Sequence, residues 1–452
     1  MREVTLAQIA AWAGAVCPAG AETIVIDDIC KDSRAARPGS LFIPLPGARF
    51  DGHDFLPSAV ANGASASLCS REDMTAEVPL LRVANVRDAY QAIAAGYRSM
   101  FSPKIVGITG SVGKTTTAMM TAAVLGSRYR LLKTEEDSNG QIGLPFALFR
   151  LDASHEAAVL EMGMSQAGEL SRLTRMARPD VAVINTIGTA HIEFFGTREK
   201  ICEAKLEILH GLNPNGRLIL NGDEPLLWQR RADTGFATWT YGLHNSDADC
   251  TAEILAVEEG STRFVVSFAG ERAEVCLPAV GEHNVSNALA AILVGVAVGL
   301  SFAEAAEAVS GYQPARGRQN ISRKNGITIM DDCYNASPEA VCASLGVLKS
   351  LSANRRFAVL GGMLELGEYA HEGHARCGRA AADCADYLFV YGDAGYLDGA
   401  AEAGMPVDHM AAFESHEALV ETLRSLAKPG DAVLFKGSHG MHMEKALALF
   451  LE

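Results

Sequence analysis

No two cysteines in the 452-residue chain stand at CxxC spacing. The ten lie at 17, 30, 69, 202, 250, 276, 333, 342, 377 and 384, which offers neither a zinc ribbon nor a disulfide framework and fits reduced, packed thiols. Basic residues are also short: 39 Lys and Arg against 54 Asp and Glu give a formal charge of −15. A nucleic-acid partner, which wants a basic face, is not expected. No apolar run reaches the roughly 18 residues of a membrane span. The apolar stretch at residues 6–16 follows Arg2 as a secretion leader would, but Glu3 and Gln8 interrupt it. Leu6, Ile9, Ala10 and Ala13 share one helical face, so a buried, domain-opening helix is expected. The Asn-Lys-x-Asp string that a guanine-nucleotide switch wants is missing, and there is no low-complexity tract or short-period repeat.

What the chain does contain is 48% hydrophobic and 21% charged residues, the balance of a globular protein with several cores. Its length corresponds to about three domains. The most informative stretch is Gly107-Ile-Thr-Gly-Ser-Val-Gly-Lys-Thr-Thr-Thr117, between the β-branched pair Ile105-Val106 and a helical pattern over 118–125 closed by Gly126. Strand, glycine-rich turn, Lys-Thr and helix together describe a phosphate cradle. Gly110, Ser111, Val112 and Gly113 would turn their backbone N–H groups to one point, Lys114 would meet the outer phosphates, and the hydroxyls of Thr115 and Thr116 follow, with Thr115 suited to Mg²⁺. The longer G-x-x-x-x-G-K-[ST] spacing is not met, because position 108 is Ile108. The alternative is a βα turn that binds nothing.

Three segments are expected, at 1–87, 88–312 and 313–452. In the first, Ser33 and Arg34 would suit a phosphate, although Asp-Ser-Arg is more often a surface turn. In the second, the strand over 157–160 ends at Glu161, a carboxylate suited to share Mg²⁺ with Thr115 or simply to face water. A strand over 180–184 leads to His191, and a helix over 200–209 carries Lys205, for which a solvated surface charge is the better reading from sequence alone. Residues 237–280 alternate as strands. A helix is expected over 288–299, with Asn284 and Asn287 just before it as caps. In the last segment, strands over 327–330, 356–360, 387–390 and 431–435 alternate with helices over 338–351, 373–384, 415–426 and 442–451. That order implies a doubly wound parallel sheet.

Taken in order, Thr109-Gly-Ser-Val-Gly-Lys-Thr-Thr116, Glu161-Met-Gly163, Ala190-His191, Ala204-Lys205 and Gly281-x-His283-Asn284-x-x-Asn287 resemble the central domain of the Mur ligases. Asp332-x-Tyr-Asn-Ala336, Met363-x-Glu-Leu-Gly367 and Lys436-Gly-Ser438 narrow the resemblance to the members that join D-alanyl-D-alanine to UDP-N-acetylmuramoyl-tripeptide in cell-wall synthesis. The resemblance spans the whole chain and implies an α/β fold of three domains: a small uridine-nucleotide-binding domain, a central P-loop ATPase-like domain and a Rossmann-like C-terminal domain. It implies ATP and Mg²⁺, an acyl-phosphate intermediate, a cytoplasmic location and a monomer. By motif, Thr115 and Glu161 would hold one Mg²⁺ and His191 with a carbamylated Lys205 a second, while Asn287, Arg318 and Asp332 face the nucleotide. Ser33 and Arg34 match the uridine-nucleotide site, and Asn139, Tyr334 and Asn335 would touch substrate. Two departures stand out. Gly362 replaces the family's Asp in Gly-Asp-Met, and Glu136-Asp-Ser-Asn139-Gly-Gln-Ile-Gly143 keeps only Asn139, Ile142 and Gly143 of the usual run. Alternatives are the sister ligase that adds the third amino acid, a folylpolyglutamate-synthetase-like ligase and, in another class, a P-loop nucleotide switch.

Overall fold

The computed structural model describes residues 1–452 except 48, 49, 135–137 and 259. The chain opens with the expected helix, Leu6–Ala13, whose Leu6, Ile9 and Ala10 are buried. Gln8 has a structural use: with Thr5 it closes a capping box, each side chain bonding the other's backbone N–H. Four short parallel strands then form one sheet in the order Asp28–Cys30, Ser40–Phe42, Ala66–Cys69, Leu80–Arg82.

Among the described residues the second sheet has nine strands. Lys104–Thr109, third from one edge, is flanked by Val181–Ile184 on one side and Ala157–Glu161 on the other, all parallel. Ile105, Val106 and Ile108 are fully buried, as expected for a strand covered on both faces. The alternating region 237–280 becomes four strands that extend this sheet, the last three antiparallel. Helix Lys114–Gly126 packs on helix Glu282–Val298. Their approach is close because Gly295 has no side chain: a Cβ there would stand 2.6 Å from Val124 Cγ1.

Helix Glu282–Val298 starts six residues earlier than its apolar pattern suggests. Asn284 and Asn287 therefore lie inside the first turns, and neither caps the helix. The helix over 200–209 is likewise shifted: it runs Arg198–Leu206 and tightens into a 3₁₀ turn, Glu207–His210.

The third sheet contains the four expected parallel strands in the order Ile327–Asp332, Ala432–Lys436, Arg356–Gly361, Tyr387–Tyr391. An antiparallel strand, Asn320–Lys324, and a parallel one, Met410–Phe413, are added at its edges. The first of these had a readable signal. Asn325-Gly326 joins it to Ile327–Asp332 with φ of 51° and 78°, the two-residue turn that Asn-Gly favours. Gly362, the departure from the family pattern, is held through its backbone, donating to Tyr391 O at 2.9 Å and accepting from Ser438 N at 3.2 Å.

Candidate functional site

In each of the two larger sheets the loops after the parallel strands carry the polar strings, and both sets open into one cavity of about 900 Å³. The second sheet contributes residues 111–116, Glu161, residues 185–188, Ala190 and His191. The third contributes Asp332, residues 334–337, Glu339, residues 364–366 and Lys436. Ligands collect at such carboxyl ends because the loops there diverge and leave a crevice.

The cradle is braced from below. Ser111 N donates to Thr186 O at 2.8 Å and Val112 N to Thr186 Oγ1 at 3.1 Å. Gly113 has φ 83°, and a Cβ there would lie 2.6 Å from Asn287 Oδ1, so both conformation and space require glycine. Under the loop, Asn185 Nδ2 donates to Thr117 Oγ1 at 2.8 Å, and Thr117 donates to Asn287 Oδ1 at 3.0 Å. Asn287 thus reaches the cavity and also anchors the cradle helix. Lys114 Nζ is held by the carbonyls of Gly110 (3.0 Å) and Ser111 (3.4 Å). Burial lowers its pKa, Glu161 opposing. The buried Ser111 Oγ has no hydrogen-bond partner among the described residues, which suits a donor meant for a phosphate oxygen.

Thr115 Oγ1 donates to Glu161 Oε2 at 2.7 Å, and Asn139 Nδ2 donates to Glu161 Oε1 at the same distance. Glu161 is 8% exposed, so it is not a carboxylate facing water. A hydroxyl and a carboxylate in contact beside a phosphate cradle are hard oxygen donors that fit Mg²⁺. Of the altered loop, Asn139 keeps its place, and residues 136 and 137 lie outside the described residues.

His191 has φ 64° and its Nδ1 is 2.6 Å from Glu365 Oε2. Burial lowers its pKa, Glu365 pulling the other way. Lys205 contradicts the surface reading: it is 2% exposed. Burial, with the Lys114 ammonium nearby, drives its pKa far below the usual lysine range. The sequence hides this because the helix around it has alternating charges and no clean apolar stripe, so tertiary packing alone decides which face is buried.

Across the cavity, Arg318 lies over the Tyr334 ring at 3.9 Å. Asp332 Oδ2 accepts from Lys436 Nζ at 2.6 Å and from Ser344 Oγ at 2.5 Å, and its Oδ1 accepts from Gln319 N at 3.2 Å. Asn335 lines the same wall, and its carbonyl also takes Lys436 Nζ at 3.0 Å. Gln319 gathers His283 Nε2 (3.0 Å) and Asn284 Nδ2 (2.9 Å) on its side-chain oxygen. Residues with no role in the sequence reading thus hold those that had one: Thr186, Asn185, Gln319, Ser344, Lys436 and Glu365. Lys436 and Glu365 belong to the Lys436-Gly-Ser438 and Met363-x-Glu-Leu-Gly367 motifs, whereas Ser344 and Gln319 carry no sequence signal.

Ser33 and Arg34 do not line this cavity. They form a 3₁₀ turn, Ser33–Ala35, in which the exposed Arg34 side chain grips Asp32 at 2.7 Å and pulls that carboxyl down to about 2. Among the described residues, no helix is long and apolar enough to cross a membrane.

The chain matches the Mur ligase middle domain over residues 108–295, the Mur ligase glutamate ligase domain over 317–439 and the Mur ligase family catalytic domain over 25–98. It is 37% identical over 437 residues to the UDP-N-acetylmuramoyl-tripeptide–D-alanyl-D-alanine ligase of Bacillus subtilis, covering 95% of this chain and 94% of that one. Among solved structures it is similar to MurF from Acinetobacter baumannii, with a TM-score of 0.92 and 30% identity over 100% of this chain and 99% of that one. It is also similar to MurF ligase from Thermotoga maritima in complex with ADP, with a TM-score of 0.85 and 31% identity over 94% and 97% of the two chains.

Proposed function

The chain belongs to the Mur ligase family, and from that premise we propose that it joins D-alanyl-D-alanine to UDP-N-acetylmuramoyl-tripeptide, converting ATP to ADP and phosphate through an acyl phosphate. The observation that carries the reading is the convergence of the phosphate cradle, Glu161, His191 and the Asp332–Lys436 wall on one cavity between two sheets. A P-loop switch needs no second wall of this kind.

The chemical difficulty is that the terminal carboxylate of the tripeptide and the γ-phosphate are both anions. Lys114 and the N-terminus of its helix are placed to neutralise the phosphoryl oxygens as the carboxylate attacks, and this electrostatic contribution is the dominant one. The Ser111 and Val112 N–H groups, expected to point there too, bond Thr186 instead. Mg²⁺, held by Thr115 and Glu161, would supply further neutralising charge. Asn287, Arg318 and Asp332 hold the nucleotide, and Asn139, Tyr334 and Asn335 meet substrate. Ser33 and Arg34, outside the cavity lining, take the uridine nucleotide. The dipeptide amine then attacks the acyl phosphate and phosphate leaves. Alignment of three reactants within a walled cavity supplies the rest of the acceleration. Residues 1–87, 88–312 and 313–452 act as the uridine-nucleotide, ATP-binding and closing domains of a cytoplasmic monomer.

The test is phosphate release from ATP with nucleotide and amine substrates offered in all pairings. Turnover is expected only with the tripeptide nucleotide and D-alanyl-D-alanine together. Faster release with the dipeptide nucleotide and a single diamino acid would favour the sister ligase instead.

A further inference from the structure

Seven described residues other than glycine have positive φ, a conformation most side chains avoid. Two of them, His191 (φ 64°) and Glu365 (φ 62°), belong to different sheets and bond to each other at 2.6 Å. Backbone held in this region is strained and persists where the surroundings over-determine it. Here they do. Glu193 N donates to Glu365 O at 3.4 Å, and Tyr369 Oη donates to Gly196 O at 3.0 Å. Gly367, at φ 53°, lies so close to Glu193 that a Cβ would stand 3.1–3.3 Å from three of its atoms. On the neighbouring face Thr189 Oγ1 meets both Glu339 oxygens at 3.2 Å. The loop after Val181–Ile184 and the loop after Arg356–Gly361 are thus fastened together at the rim of the cavity.

We propose that Glu365 is a positioning residue for the ligase reaction, fixing the His191 ring through Nδ1 so that Nε2 faces the reacting groups only when the third sheet's loop is seated. A carboxylate can only accept, so Nδ1 carries the hydrogen and Nε2 keeps its lone pair. The inference rests on the ligase reading. It adds that the loop after Arg356–Gly361 orients a residue of the cradle side, so that the Glu365–His191 contact is a condition for chemistry, separate from the nucleotide contacts of Arg318 and Asp332.

Glu365→Gln preserves shape and can present either an amide oxygen or an amide nitrogen to Nδ1, so it no longer imposes one tautomer. With the wild type active on the paired substrates, this variant should lose about 10–100-fold in kcat, the usual effect of an orienting partner, while KM for ATP stays within about twofold. Glu365→Gly accepts φ 62° without strain, so its Tm should not fall although its kcat does. In a double-mutant cycle, Glu365→Gln added to His191→Asn should cost little more than His191→Asn alone. Additive losses, an unchanged kcat in Glu365→Gln, or a lowered Tm in both Glu365 variants that accounts for their lost activity would overturn the proposal. An inactive wild type would instead refute the ligase reading beneath it.

Discussion

Lys114→Ala should slow phosphate release by hundreds-fold or more, on the order of 3–4 kcal/mol in the barrier. The size follows from position. Its Nζ lies against the carbonyls of Gly110 and Ser111, at the turn where the Gly113 conformation and the Thr186 brace fix the loop. Burial lowers its pKa, and the neighbouring Glu161 carboxylate opposes that shift. An ammonium already desolvated at the phosphoryl site needs no reorganisation when charge develops, so its removal is felt mainly in the transition state. The loss should therefore fall largely on kcat. A variant with near wild-type turnover would remove the cradle assignment.

The second large effect is expected at Lys205. This side chain is 2% exposed and makes no hydrogen bond or ion pair among the described residues, and the Lys114 ammonium lies near enough to disfavour its charge further. A buried, unpaired ammonium is costly, so the amine is driven toward its neutral form. A neutral amine is what adds CO₂ to give a carbamate, whose oxygens fit a hard cation beside His191, whereas a lysine ammonium offers only donors. We propose that Lys205 is carbamylated in the active enzyme. Lys205→Ala should lose activity on the order of a hundredfold or more, the scale of removing one preorganised electrostatic group. Small carboxylic acids should restore part of it. Enzyme equilibrated with ¹³C-bicarbonate should show a carbamate carbon resonance that the alanine variant lacks. A fully active Lys205→Ala, or no such resonance in active enzyme, would overturn the assignment.

How much of this was legible in the sequence follows the physics of each feature. The cradle was readable because strand, two glycines, lysine and helix are local requirements written in consecutive residues. The parallel strands of the third sheet were readable because burial on both faces leaves short continuous apolar runs. Helix Glu282–Val298 was truncated in the reading because its first turns face the cavity with polar residues, the place where function overrides the apolar pattern. Lys205 was misread because a charge in a helix of mixed pattern says nothing about which face the fold covers. The left-handed backbone of His191 and Glu365 had no usable signal, since the enrichment of His in this region is too slight to single out one position, Glu has none, and the contact joins positions 174 apart in the chain. Asn325-Gly326 was the opposite case, a local turn signal present and unused.

The central claim, that the tripeptide carboxylate attacks ATP before the dipeptide amine arrives, is tested most directly with both oxygens of that carboxylate labelled with ¹⁸O. After turnover with ATP and D-alanyl-D-alanine, each released inorganic phosphate should carry one ¹⁸O, the other remaining in the new amide carbonyl. Phosphate free of label, or label found in AMP, would contradict it.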